Sequence, residues 1–159
     1  MRAAILTIST TRAADGGPDE SGDELAAIAR ELGAEIAARE IVSDEREAIA
    51  ARLRGFCEDG CNLVLTTGGT GLAPRDVTPE ATRAVIEREV PGIAEAMREA
   101  SRPHTRHWML SRGVAGIRGA TLIINFPGSP RSIRQTAVAI TDALPHALAL
   151  IANDPTTHA

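Results

Sequence analysis

Residues 66–80 read T-T-G-G-T-G-L-A-P-R-D-V-T-P-E, and this stretch decides the fold class. Immediately before it, Asn62-Leu63-Val64-Leu65 is a short apolar run of the buried-strand type. Near its end, Thr78-Pro79 reads as a helix start, with threonine at the N-cap and proline at the first helical position. Strand, glycine loop and helix, in that order, form the junction where an open α/β sheet binds ligands, beyond the carboxyl ends of its strands. Gly68, Gly69 and Gly71, with Thr67 and Thr70 among them, let the backbone approach a ligand closely. Their amides can form an anion-binding nest. Asp76 stands at the far end of the loop, where a carboxylate can hold a cation beside that anion. A bland reading stands beside this one: glycine turns are common, and aspartate suits a turn for its own sake.

Upstream, Ala3 to Ser9 is an apolar first strand, and Thr10 to Glu20, rich in Gly, Asp, Thr and Pro, reads as a loop. Ser21-Gly22-Asp23-Glu24 has the capping-box pattern, and Leu25, Ile28, Ala29 and Leu32 follow on one helical face. Ala34 to Val42 is a second strand. Ser43-Asp44 opens a second helix whose buried stripe is Ile49, Leu53, Phe56 and Cys57, with Glu47 completing a D-x-x-E box. Cys61 to Thr66 is the third strand. The order β-α-β-α-β calls for a mostly parallel sheet with right-handed crossovers.

Downstream, a helix is expected from Pro79 to about Glu89, broken by Pro91-Gly92. A shorter helix then carries Ile93, Ala96, Met97 and Ala100. Ser101 to Gly119 lacks periodicity and reads as loop with a short hairpin. Thr121 to Asn125 is another buried strand. Pro127-Gly128-Ser129-Pro130 repeats the earlier design, with Ser129 as N-cap and Pro130 at the first helical position. The last helix carries Ile133, Val138, Ile140 and Leu144, is kinked or split at Pro145, and leads to a frayed tail at residues 153–159. Residues 1–152 are read as one domain, in keeping with a length of 159 residues.

Composition excludes several classes. Aromatic residues make up only 2% of the chain and the net charge is −4, so neither base stacking nor phosphate tracking of a nucleic acid is supported. All 17 basic residues are arginine, which rules out a Walker-type P-loop lysine and a Schiff-base lysine. Cys57 and Cys61 are too few for a disulfide framework and lack further ligands for zinc. The chain enters a strand directly after Met1, with no room for a signal peptide, and no apolar run reaches membrane-spanning length. A soluble cytoplasmic protein is expected.

Chemistry is expected at four strand ends. The glycine loop is the first. The second is Asp44: aspartate near a helix start is common, but the parallel order points the carboxyl ends of strands two and three the same way, so Asp44 and Asp76 can face one cleft. The third is the loop from Ser9 to Ser21, with Thr10, Asp19 and Ser21. The fourth is Pro127-Gly128-Ser129, where another helix start offers amides to an anion. Ser111 and Arg112 precede it, and arginine is the expected fork for phosphate oxygens. His104 and His107, in H-x-x-H, lack a third ligand and read as a surface or subunit-contact pair.

These residues together resemble the molybdenum-cofactor biosynthesis family that includes molybdopterin adenylyltransferase and the G domain of gephyrin and its plant counterpart. The resemblance rests on T-T-G-G-T-G-x-x-x-R-D-V-T-P-E, with Ser21-Gly22, Ser43-Asp44, Leu110-Ser111-Arg112 with Ala115-Gly116, and Pro127-Gly128-Ser129-Pro130 as ordered satellites. It covers about Ala3 to about Leu150. It implies a three-layer α/β/α sandwich, commonly trimeric. It implies transfer of AMP from Mg-ATP to the terminal phosphate of molybdopterin with loss of pyrophosphate, the product passing to a molybdate-inserting enzyme. Carried over, Asp44 and Asp76 match the family's two critical acids, and as paired carboxylates they are the expected Mg²⁺ ligands. Gly68, Gly69, Thr70 and Gly71 match its nucleotide loop, and Ser111, Gly128 and Ser129 its substrate cleft. Ser9, Thr67, Arg112 and Pro127 complete the expected site. This chain departs from the pattern at Ser9-Thr10, where many members carry an acid after the serine.

Two rival readings share the residues. One is a non-catalytic molybdopterin-binding or scaffold paralogue on the same fold. The other, a nicotinamide-dependent oxidoreductase, needs G-x-G-x-x-G after the first strand, where this chain has T-T-R-A-A-D-G-G.

Overall fold

Strands buried on both faces carry near-continuous apolar sequence. Here β1 (Arg2–Ile8), β3 (Leu63–Thr67) and β6 (Thr121–Phe126) are buried along almost their whole length. Alternate side chains feed two separate cores. Ala3, Ile5, Leu63, Leu65, Leu122 and Ile124 point to one face, and Ala4, Leu6, Val64 and Ile123 to the other. The structure, a computed structural model, describes residues 1–153. β2 (Glu35–Val42), β1, β3 and β6 run parallel, β5 (Ala115–Arg118) is antiparallel to β6, and β4 (Arg88–Glu89) antiparallel to β5. The sheet order is β2-β1-β3-β6-β5-β4.

Helices cover both faces. α2 (Glu20–Glu31), α5 (Pro91–Ser101), α6 (Pro130–Ala137) and α7 (Leu144–Ile151) supply the first core. α3 (Arg46–Glu58) and α4 (Thr78–Arg83) supply the second, centred on Phe56. The mostly parallel sheet in an α/β/α arrangement is as expected. Among the described residues no helix is long and apolar enough to cross a membrane.

Several local expectations are corrected. Part of the predicted loop from Thr10 to Glu20 is a helix, α1 (Thr10–Asp15), capped by the Ser9 hydroxyl, which accepts from the Arg12 amide. It buries no residue, so it leaves no hydrophobic period to detect. The N-cap of α2 is Asp19, accepting from the Gly22 amide, and not Ser21. Asp19 also accepts from the Thr7 hydroxyl of β1 (2.8 Å), which ties α2 to the sheet. At α3 the N-cap is Glu45, without a side-chain cap bond, so the D-x-x-E box at Asp44 does not form. At α4 the N-cap is Val77; Thr78 lies inside the helix and its hydroxyl is used elsewhere.

α4 stops at Arg83 rather than running to Glu89, because the chain turns to add the edge strand β4. Pro91 therefore starts α5 instead of breaking a helix. The hairpin expected within Ser101 to Gly119 forms later: Trp108–Leu110 is a single 3-10 turn, and β5 pairs with β6 by turning through Gly119 at φ 55°. Val138 is 68% exposed and not part of the buried stripe: it lies five residues after Ile133, and Ala137, four residues after Ile133, takes the buried position. Pro145 lies in the first turn of α7. The expected tail lies outside the described residues from 154 onward.

One buried polar residue joins both cores to the mixed edge. Asn125 of β6 donates from Nδ2 to the hydroxyls of Thr66 (3.1 Å) and Thr82 (3.0 Å), and its Oδ1 accepts from the Val114 amide (3.1 Å). Replacing it by leucine orphans these groups at a cost of about 1–3 kcal/mol. In urea unfolding, Asn125→Leu is expected to lower the midpoint with an unchanged slope.

Candidate functional site

The crossover from β1 leads outward to β2, and the next one returns past β1 to β3. The direction of winding therefore reverses between β1 and β3, which opens a crevice at their carboxyl ends. Neighbouring strands lie about 4.8 Å apart, so the ends of β2, β1, β3 and β6 fall within about 14 Å. Across that edge they bring Asp44, then Ser9 and Thr10, then Gly68 to Asp76, then Pro127 to Ser129.

The glycine loop is pressed onto the end of β1. Gly68 has φ 97°, and a Cβ there would lie 2.4 Å from the Ile8 carbonyl oxygen. Gly69 has φ 67°, and a Cβ there would lie 2.3 Å from the Thr78 hydroxyl. Neither position admits a side chain. The Thr78 hydroxyl donates to the Gly68 carbonyl (2.9 Å), and the Thr78 amide to the Gly69 carbonyl (3.1 Å). With their carbonyls pulled back, the amides of Gly69, Thr70 and Gly71 donate to no group among the described residues. That is the donor set an anion requires.

The Pro127–Ser129 turn joins this loop. The Thr67 hydroxyl donates to the Pro127 carbonyl (2.6 Å), and the Ser21 hydroxyl to the Gly128 carbonyl (2.7 Å). Ser129 caps α6 as expected, accepting from the Ser132 amide. Ser111 lines a small cavity with Pro127, Met97, Arg98, Asn125 and Thr136, beside the turn.

Asp76 Oδ2 accepts from the Ala73 amide (3.0 Å) and closes the loop on itself. Asp44 Oδ2 accepts from both the amide and the hydroxyl of Thr10, each at 2.9 Å. In both carboxylates Oδ1 has no hydrogen-bond partner among the described residues. Asp76 lies against Gly71 of the loop and Asp44 against Thr10 at the same sheet edge; half-committed carboxylates of this kind suit Mg²⁺, which takes one or two carboxylates together with substrate phosphates. Among the described residues no group of three or more His, Cys, Asp or Glu gathers as a metal cluster. His104 and His107 are exposed.

Arg112 differs from its expected role as a phosphate fork. Its Nε donates to the Gly71 carbonyl (2.8 Å), Nη2 to the Asp76 carbonyl (2.6 Å), and Nη1 pairs with Glu80. Its amide donates to the Thr70 carbonyl (2.9 Å). The guanidinium is thus a clasp across the glycine loop, and its hydrogen bond holds the Glu80 carboxyl below the usual carboxylate range. Glu80 is the residue whose part in the site the sequence did not assign, although it was within reach as the final acid of the quoted stretch. Thr10 and Ser21 were expected at the third strand end, but their partners, Asp44 and the Gly128 carbonyl, were not. Burial pushes the Cys57 and Cys61 thiols up, which suits inert core positions.

Comparison with known proteins follows this geometry. The profile of a family described as "Probable molybdopterin binding domain" matches residues 4–146. The chain is 49% identical over 113 residues to a molybdopterin adenylyltransferase of Helicobacter pylori, covering 70% of this chain and 64% of the relative. It is 42% identical over 156 residues to the molybdenum cofactor synthesis protein cinnamon of Drosophila melanogaster, covering 94% of this chain and 25% of the relative. The chain thus spans less than two thirds of these relatives' own length. Among solved structures, the molybdopterin biosynthesis enzyme MoaB of Thermus thermophilus superposes with TM-score 0.89 at 46% identity, covering 97% of this chain and 98% of the other. The Mog protein of Mycobacterium ulcerans gives 0.90 at 37% identity, covering 94% and 98%. By sequence over nine-tenths of its length, and by a fold shared end to end, the chain belongs to this molybdenum-cofactor biosynthesis family of molybdopterin-binding domains.

Proposed function

We propose that the chain is a molybdopterin adenylyltransferase. The observation that carries this reading is the pairing of uncommitted loop amides with two half-committed carboxylates, Asp44 and Asp76, at one switch-point crevice. The names of relatives at 47–49% identity support the same reaction class. In the proposed step a terminal phosphate oxygen of molybdopterin bonds to the α-phosphorus of ATP. The bond from that phosphorus to the bridging oxygen of the β-phosphate breaks, and pyrophosphate leaves with the electron pair. Such a transfer needs positioning and charge neutralisation more than a protein nucleophile. The chain's lack of lysine is therefore no obstacle.

Each loop has a part. The amides of Gly69, Thr70 and Gly71 hold phosphate oxygens of the nucleotide, while Ser9 and Thr67 shape the crevice floor. The α6 N-terminus, with Gly128 and Ser129, meets the molybdopterin phosphate. Ser111 and Pro127 wall the substrate side. Asp44 and Asp76 would hold Mg²⁺, which when bound neutralises charge on the phosphates. Arg112, spent on carbonyls and Glu80, keeps the loop in shape. We further propose a cytoplasmic homotrimer that hands its product to a molybdate-inserting enzyme.

A second reading, a binding or scaffold paralogue, is favoured by one observation: the chain covers only 22–25% of the relatives named gephyrin and cinnamon. Incubation with molybdopterin and ATP labelled at the α-phosphate separates the two. Label on molybdopterin supports the transferase; molybdopterin binding without label transfer identifies the paralogue.

Asp76→Asn is expected to fold and to lose turnover by about a hundredfold or more, the scale of a lost electrostatic stabiliser. Near-wild-type turnover would remove Asp76 from the mechanism. Arg112→Lys is expected to speed amide exchange across residues 68–76, because one ammonium cannot serve three acceptors at fixed angles. Glu80 has its carboxyl pulled below its ordinary value of 4.5 by Arg112. Its stabilising contribution is complete above that ordinary value and disappears as pH falls through the lower folded value. Thermal midpoints measured on the acid side should therefore fall less steeply with pH in Glu80→Gln than in the unaltered chain.

A further inference from the structure

Thr10 and Asp44 are joined by three hydrogen bonds, and the arrangement is reciprocal. The amide and the hydroxyl of Thr10 both donate to Asp44 Oδ2, and the Asp44 amide donates back to Thr10 Oγ1 at 3.0 Å. One hydroxyl therefore fixes the backbone and the side chain of Asp44 at the same time. The two residues follow adjacent parallel strands, β1 and β2, and the register holds their ends level: Ile8 is paired with Val42. The Ser9 amide donates to the Val42 carbonyl (2.9 Å) and prolongs this pairing into the loops.

Helix capping accounts for one of the three bonds, since the Thr10 amide is the first of α1 and Asp44 Oδ2 satisfies it, but not for the two made by the hydroxyl. The start of α1 already has its cap in Ser9, whose hydroxyl accepts from the Arg12 amide. Nor does Asp44 cap its own helix, whose N-cap is Glu45. Thr10 is exposed and α1 buries nothing, so the pair contributes little to the core. Exposed hydrogen bonds add little net stability because water competes for them. What three bonds to one residue do accomplish is to select a rotamer. With both donors on Oδ2, the carboxylate plane is set, and Oδ1 is the oxygen left for a ligand.

We infer that Thr10 is the positioning residue for Asp44. Its hydroxyl holds the carboxylate so that Oδ1 is presented to a divalent cation carried by a nucleotide. The inference rests on the proposed nucleotide-binding reading of the crevice and adds a residue to it. Groups that orient a metal-binding side chain typically contribute 10–100-fold to metal affinity. An effect of about that size is expected from loss of the hydroxyl.

The test is calorimetric titration of the full chain with ATP, in the presence of Mg²⁺ and in its absence with a chelator. It reads the gain in ATP affinity that Mg²⁺ confers, without requiring turnover. Thr10→Val is expected to lower that gain by about 10-fold or more and to leave the Mg²⁺-free affinity unchanged. Thr10→Ser, which keeps the hydroxyl, is expected to retain the gain. A merely structural role would lower both affinities together or neither. Because Thr10 is exposed, Thr10→Ala serves as a second hydroxyl-free variant should valine disturb α1. A full Mg²⁺ gain in a folded hydroxyl-free variant overturns the inference while leaving the proposed function standing. So does a Thr10→Ser variant that loses the gain as valine does. If the unaltered chain binds ATP equally with and without Mg²⁺, the proposed function is overturned and this inference falls with it.

Discussion

The structure turns on a close approach of two backbones: the glycine loop against the carboxyl end of β1. A side chain at Gly68 would lie 2.4 Å from the Ile8 carbonyl oxygen, closer than any non-bonded carbon is tolerated. Only because Gly68 is glycine can the loop lie down on the sheet edge, between the strand end that carries Ser9 and the turn that carries Gly128. That contact places the loop amides in the crevice at the point where the winding reverses. Thr78 completes it by drawing the Gly68 and Gly69 carbonyls toward the helix. The amides on the other side of the same peptides are then left without partners among the described residues. A tight steric constraint thus becomes an electrostatic one, a group of unpaired donors that suits an anion.

The same economy governs the charged residues. A chain without lysine must handle charge with guanidinium groups, and the structure uses several of them as braces. Arg112 spans two carbonyls and a carboxylate across the glycine loop. Arg39 joins Asp19 and Asp23, and Arg134 joins Glu24 and Glu31, fixing α2 to its neighbours. The planar fork suits such work because its five donors point in fixed directions. In the proposed reaction, substrate phosphates would fall to backbone amides and to the cation that Asp44 and Asp76 would hold.

Much of this was legible in the sequence. Short apolar runs and glycine punctuation marked β1, β2, β3 and β6, and with them the parallel order and the shared edge. What was not legible lacked a hydrophobic period or depended on a partner far along the chain. α1 buries no side chain. β4 is two residues long and exists only because β5 runs beside it. Val138 is apolar but falls five residues after Ile133, off the stripe that Ala137 continues. At the site, aspartate before a helix reads equally as a cap; only the position of Thr10, 34 residues away, shows that Asp44 is turned the other way. Arg112 read as a phosphate fork because nothing in its neighbourhood announced the two carbonyls it would meet.

The central claim is that Asp44 and Asp76, on different loops, serve one nucleotide-bound cation. It is tested most directly by a crystal structure of the full chain with a non-hydrolysable ATP analogue and Mn²⁺, located by its anomalous scattering. The account predicts triphosphate oxygens on the amides of Gly69 to Gly71. It also predicts one metal peak within coordinating distance, about 2.0–2.5 Å, of an oxygen from each aspartate or from a water bound to it. A nucleotide seated elsewhere, or a metal peak remote from both carboxylates, would contradict it.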